Sequence, residues 1–284
     1  FSINVYGSRN KTIDFYSINN LYKPITIDGC FVTNESQSLS GIKIKNEVTK
    51  KFEWNINPHK DRCIKINQYS LEILSKVFDD IYDPISTKLV PIHSKQIISI
   101  LNKSSNFKSK VKDFNPKLTI GFHEVEAVKQ GLLTNKTQEV DKENSEFVII
   151  SGPHFYVSQP VYKTPRENCK NPLDYDVINI TKISHDYNPR YNFIQNQKIK
   201  DFFSDSKQDE ISDWIFNYKV CLSRMLIFSG ERTLQGALYF PGVAHISSIN
   251  SVQFDSSENL IEFLGLSTSL VYDFFIKTLG VSNL

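Results

Sequence analysis

Hydrophobic positions change period along this chain, and the changes divide it. Up to residue 66, apolar side chains come in short pulses: Ile3–Tyr6, Thr12–Tyr16, Ile25–Val32 and Ile42–Lys45, separated by turn-forming residues. Alternation and β-branching predict short strands in a peripheral wrap. From Asn67 the spacing becomes helical, with Leu71, Leu74, Val77, Phe78 and Ile81 on one face. A second helix is predicted over His93–Lys103, with Ile97, Ile98 and Leu101 facing inward. Lys103, Lys108, Lys110, Lys112 and Lys117 then meet only Asp113, which predicts an exposed loop. A short helix over Phe122–Gln130 is closed by Gly131, and the polar run 134–145 reads as a loop.

Beyond residue 146 the pattern is richer in strands. Phe147–Ile150, Phe155–Tyr162, Val177–Thr181, Tyr218–Phe228 and Leu234–Phe240 are strand-like, and Ser151–His154 is a turn. Asp209 can open a helix through Trp214. Asn259–Leu279 carries one broad apolar face, either a long helix or two shorter ones around Gly265. The expected fold class is α+β, an irregular mixed sheet with flanking helices rather than a βαβ alternation. Three segments are expected: a peripheral segment 1–66, a helical and loop segment 67–145, and a principal domain 146–284.

Composition narrows the class. With 284 residues, 40% hydrophobic and 12% aromatic, the chain can bury a real core, so global disorder is excluded. No stretch reaches the roughly 18 apolar residues of a membrane span, so no membrane association is expected. Cys30, Cys63, Cys169 and Cys221 are scattered without a CxxC pair, which fits reduced structural thiols in the cytoplasm and offers no zinc cluster. The chain opens on Phe1 with no basic-then-apolar leader, so it is expected to continue from a missing N-terminal part. The formal charge is only +2, but residues 43–65 hold seven Lys/Arg against three acids.

Several chemistries lack their residues. There is no GxGxxG or GxxxxGK[ST], no GxSxG, and no Asn-Pro-Pro-Tyr. His123-Glu124 begins like a zincin helix, but Ala127 stands where the second ligand is needed. No cofactor site is therefore expected in this chain. Four patches instead set cations and amides beside aromatics in Pro/Gly-rich turns: Ser151–Tyr156, Tyr162–Cys169, Asp186–Asn192, and Ser229–Leu234 with Phe240–His245. Lys163 and Arg166 flank Thr164-Pro165 as a stiff turn suited to phosphate contact. Arg190 follows Pro189 and suits either a scaffold or a ligand. Arg232 beside Glu231 suits a scaffold ion pair, and His154 suits a cap of local backbone.

The order of these patches resembles a known family. Ser-Gly-Pro-His-Phe (151–155), Lys-Thr-Pro-Arg to Cys (163–169), Tyr-Asn-Pro-Arg-Tyr-Asn (187–192), Gly-Glu-Arg-Thr-Leu (230–234), Ala-His-Ile (244–246) and Ser-Leu-x-x-Asp-Phe-Phe-x-Lys (269–277) follow each other as in the C-terminal half of large bacterial adenine-specific DNA methyltransferases, the type IIG-like restriction–modification and phage-defence enzymes. The resemblance is to their TaqI-like target-recognition region and covers residues 120–284. Gln159 departs from the family's Asn before Pro. The resemblance implies sequence-specific binding of double-stranded DNA in the cytoplasm, with no catalysis by this chain alone; Lys163, Arg166, Arg190 and Arg224 are the candidate DNA contacts. S-adenosylmethionine would belong to a catalytic methyltransferase domain in the same protein or complex. Two other readings stay open: a metal-dependent nuclease built on Asp174/Asp176 with Lys182, and a protein-interaction module of a defence complex.

Overall fold

A computed structural model of the chain describes residues 12–32, 39–139, 147–196, 199, 209–228 and 230–284. The chain is α+β, with helices and several small, mostly antiparallel sheets. It divides into two units, Phe1–Lys108 and Ser109–Leu284. The boundary falls inside the lysine-rich stretch. The predicted pulse Ile3–Tyr6 and residues 140–145 of the predicted loop lie outside the described residues.

In the first unit, β1 (Asp14–Ser17) pairs antiparallel with β4 (Ile64–Asn67), which runs directly into helix α2 (Gln68–Phe78). Asn67 is the helix cap: its side chain accepts the Ser70 N–H at 3.0 Å. Helix α2 buries Leu71 and Leu74 and α3 (Lys95–Ser104) buries Leu101, as their periods predicted; Val77, Phe78, Ile97 and Ile98 are half-buried, and α2 also buries Ile73, which the predicted stripe did not include. Ile81 is exposed, beyond the end of α2. Ile25–Val32 is a helix, α1, not a strand. Pro24 immediately precedes it, and the positions it buries are Thr26 and Cys30, four residues apart. Gly29 lets α1 pack closely on the segment after β3 (Phe52–Trp54), because a Cβ there would lie 2.5 Å from the Pro58 ring. A small hairpin joins β2 (Lys43–Lys45) to β3.

The second unit holds two four-stranded sheets. One has the order β13-β7-β10-β6, the other β12-β11-β14-β5. Their strands are β5 (Lys117–Thr119), β6 (Leu133–Glu139), β7 (Val148–Ile150), β10 (Arg190–Gln195), β11 (Lys219–Ser223), β12 (Gly236–Tyr239), β13 (Val243–His245) and β14 (Ile249–Gln253). The β13–β7 pair is parallel, which makes the first sheet mixed. Helix α4 (Glu124–Lys129) and α5 (Asp209–Phe216) flank it, and Phe147, Ile149, Phe193, Trp214, Ile215 and Ala244 form its core. Gly121 has φ +73, and a Cβ there would collide with the His245 carbonyl and imidazole. That close approach seats β13 beside the segment leading to α4.

Several expected elements differ, and of the predicted strand Val177–Thr181 only Val177 is strand. Residues 134–139 belong to edge strand β6, whose polar outward positions hide its period. Phe155–Tyr162 is a turn: Ser158 takes φ +58, its N–H donates to Gly236 O, and Tyr156 bridges back to Gln159. The C-terminal helix breaks at Ser269, not at Gly265, giving α6 (Ser257–Thr268) and α7 (Leu270–Leu279) bent by 68°. Ser269 Oγ accepts the Tyr272 N–H at 3.1 Å and so caps α7. Among the described residues no single helix is long and apolar enough to cross a membrane.

Candidate nucleic-acid interface

A third β element of the second unit belongs to neither sheet. Strands β8 (Lys163–Pro165) and β9 (Tyr175–Val177) form a two-stranded antiparallel ribbon with the register Lys163↔Val177, Thr164↔Asp176 and Pro165↔Tyr175. Thr164-Pro165, expected as a turn, is therefore strand. Proline is tolerated there because a two-stranded ribbon leaves each strand an unpaired edge. The actual turn is the ribbon tip, 166–174.

The tip is stiffened by its own hydrogen bonds. Asp174 accepts the N–H groups of Lys170 (3.0 Å) and Asn171 (3.1 Å), and Asn171 Oδ1 accepts the Leu173 N–H at 2.9 Å. The Arg166 N–H donates to Asp174 O at 2.8 Å and continues the ladder. Asn168 sits at φ +60, a left-handed conformation asparagine tolerates better than most side chains. Exposed on this frame are Arg166, Asn168, Lys170, Asn171 and Leu173, the last at 86%.

The ribbon root is anchored to the Ser151–His154 turn. Ser151 Oγ lies 2.8 Å from the Tyr175 hydroxyl and 3.1 Å from His154 Nδ1, and His154 Nδ1 accepts the Ser151 N–H at 3.0 Å. The His154 ring stacks on Tyr191 of β10 with centroids 5.3 Å apart. His154 thus caps local backbone, as its place after Gly-Pro suggested. Burial pushes its pKa down from 6.5 to about 4, so the ring is neutral at pH 7. Burial also raises the Tyr175 phenol well above its ordinary value. This buried polar cluster fixes where the ribbon leaves the domain.

The four expected DNA contacts are distributed around that cluster. Period-2 alternation sends Lys163 and Arg166 to opposite faces of the ribbon. The Lys163 ammonium lies 5.2 Å from the Tyr162 ring centroid. Arg166 holds Asp176 through Nε (2.8 Å) and Nη2 (2.7 Å). That hydrogen bond keeps the Asp176 carboxyl below the usual range and raises the guanidinium. Arg190 reaches the ribbon's side: its Nε donates to Pro165 O at 2.9 Å and its N–H to Thr164 Oγ1 at 3.2 Å. It positions the ribbon against β10 while also acting on Asp176. Arg224 lies at the end of β11. Its N–H donates to Ser248 O, and Ser248 Oγ accepts the Gly152 N–H at 3.1 Å, so it joins the same scaffold through Ser248. No described contact links it to the ribbon.

Sequence reasoning missed the tip. Asn168, Lys170, Asn171 and Leu173 lie between Arg166 and Asp174, and their common signal was a dense Asn-Cys-Lys-Asn-Pro turn cluster. The acidic pair proposed for metal catalysis is engaged elsewhere, Asp174 with tip N–H groups and Asp176 with Arg166. Lys182 stands in the exposed loop after β9. Arg232 is a scaffold residue, but its carboxylate is Asp273 at 3.7 Å rather than neighbouring Glu231.

No protein-family model and no curated protein matches this chain.

Proposed function

We propose that this chain recognises duplex DNA through the β8–β9 ribbon, as the specificity region of an adenine-specific DNA methyltransferase of the kind its motif order resembles. The supporting observation is the ribbon itself: two antiparallel strands outside any larger sheet, rooted in a buried hydrogen-bonded cluster, with a stiff tip bearing Arg166, Lys170 and two asparagines. A B-DNA major groove admits a two-stranded ribbon. Arg and Lys at its tip suit phosphates or guanine, and Asn suits adenine. The exposed Leu173 gives the tip an apolar contact for a thymine methyl. The ribbon's three cations are matched by Glu167, Asp174 and Asp176, so shape and directed hydrogen bonds support this reading more than net charge does. Methyl transfer, and S-adenosylmethionine, belong to a catalytic domain acting with this one.

The test is anisotropy of a labelled duplex titrated with the whole chain across a salt series. Two or three phosphate contacts give a log–log slope of about −2 to −3. Absent binding at low salt, or binding indifferent to salt, would overturn the proposal.

A further inference from the structure

The first unit carries a different arrangement of cations and rings, on the β2–β3 hairpin. Its register is Lys43↔Trp54, Ile44↔Glu53 and Lys45↔Phe52. Directly opposed residues share a face of an antiparallel pair, and so do residues two apart along a strand. One face therefore carries Lys43, Lys45, Phe52 and Trp54, two cations opposite two aromatic rings. Phe52 is 69% exposed and Trp54 45%.

This face is rigid on three sides. Tyr22 stacks on Trp54 with centroids 4.6 Å apart and planes 19° from parallel, and the Lys43 ammonium lies 4.7 Å from the same centroid. At the closed end, Asn46 Oδ1 accepts the N–H groups of Val48 (2.9 Å) and Thr49 (3.0 Å), and Asn46 exchanges backbone hydrogen bonds with Lys50 and Lys51. At the open end, buried Asn55 donates to Gly41 O at 2.8 Å while its own N–H reaches Ile42 O. The hairpin presents its rings and cations without needing to fold around a ligand.

We infer that this hairpin face binds single-stranded nucleic acid, with one base stacking on exposed Phe52, a neighbouring base packing against the exposed edge of the Tyr22–Trp54 pair, and phosphates meeting Lys45 and Lys43. Exposed rings alone would suit many partners. The lysines interleaved with them select one: a chain that offers a flat apolar surface and a negative charge at every step, which is an unpaired strand. On the hairpin itself Lys43, Lys45, Lys50 and Lys51 outnumber Glu47 and Glu53, four against two, and this local excess favours a polyanion. A duplex hides its base faces and leaves the aromatic half of this surface without a partner. The inference does not rest on the ribbon reading, which concerns other residues of the other unit.

The experiment uses the whole chain, labelled oligo(dT) and a labelled duplex of equal length. Trp214 is buried and Trp54 is half-exposed, so stacking on the hairpin is visible as quenching of tryptophan emission. Oligo(dT) is expected to bind in a salt-dependent way and to quench. Phe52→Ala combined with Lys45→Ala is expected to weaken oligo(dT) roughly tenfold or more and leave duplex binding unchanged. Trp54→Phe keeps a ring and is expected to retain binding while losing the quench. Melting curves of each variant identify any that fail to fold, and for those Lys45→Glu alone carries the test. Absent binding of oligo(dT) at low salt would overturn the inference. So would oligo(dT) affinity unchanged in Phe52→Ala/Lys45→Ala, or single-strand and duplex binding lost together in that variant.

Discussion

Replacing Asp273 by alanine should destabilise the second unit by about 3–5 kcal/mol, the range for removing one partner of a buried charged network. Asp273 is 5% exposed. Its Oδ1 accepts the N–H groups of Thr233 (2.8 Å) and Leu234 (2.6 Å) and faces Arg232 Nε at 3.7 Å. Arg232 in turn donates through Nη2 to Thr268 O (2.8 Å) and Ser269 O (3.2 Å), the carbonyls left open where α6 breaks into α7. One carboxylate thus ties the Glu-Arg-Thr-Leu segment to the helix bend. Alanine leaves two buried N–H groups unmet and the partly buried Arg232 guanidinium without its counter-charge. At roughly 2–4 °C per kcal/mol for a unit of this size, melting should come on the order of 10 °C earlier. Asp273→Asn keeps an oxygen acceptor and should lose clearly less. An alanine variant melting with the wild type would remove this carboxylate from the scaffold.

Acid should destabilise the same unit through two imidazoles. Burial pushes both His154 and His245 from 6.5 down to about 4. His245 Nε2 lies 2.8 Å from Ser251 Oγ, and its ring lies 4.8 Å from Trp214. Both pKa values are depressed bases, so folding favours the neutral ring and the unfolded chain binds the extra proton. The stability they contribute is complete above the unfolded value and is lost as pH falls from 6.5 towards 4. Between about pH 7 and pH 5 each should remove about 2 kcal/mol, or ~4 kcal/mol together. Carboxylates titrate mostly below that window, so the histidines dominate it. Denaturant melts at the two ends measure the loss, and His154→Gln should roughly halve it. A stability flat across this window would contradict the buried neutral assignment.

Much of the fold was legible where a single period ruled. Helices α2 and α3 followed from apolar spacing because each buries one stripe. Helix α1 did not, since Ile25, Phe31 and Val32 are exposed and its buried pair, Thr26 and Cys30, is weakly apolar. Edge strands β5 and β6 were hidden by their own lysines and threonines. Proline marked Thr164-Pro165 as a turn because a central strand excludes it, and nothing local announced a free ribbon edge. The partner of Arg232 was read as its neighbour, whereas tertiary packing brought Asp273 from forty-one residues further along. Candidate cations were legible as types in turns. Which of them share a face was not, because that depends on the segment being strand rather than turn, and alternation along the ribbon sends Lys163 and Arg166 to opposite faces.

The claim that the ribbon tip grips DNA is tested most directly by Arg166→Ala combined with Lys170→Ala, with melting and salt-dependent duplex binding measured on the same protein. Arg166 and its partner Asp176 are both more than half exposed, so their pair contributes little to stability and the melting curve should scarcely move. Duplex affinity should fall, and the log–log salt slope should become shallower by about one unit for each lost contact. An affinity and slope identical to wild type, in a protein that remains folded, would take DNA recognition away from the ribbon.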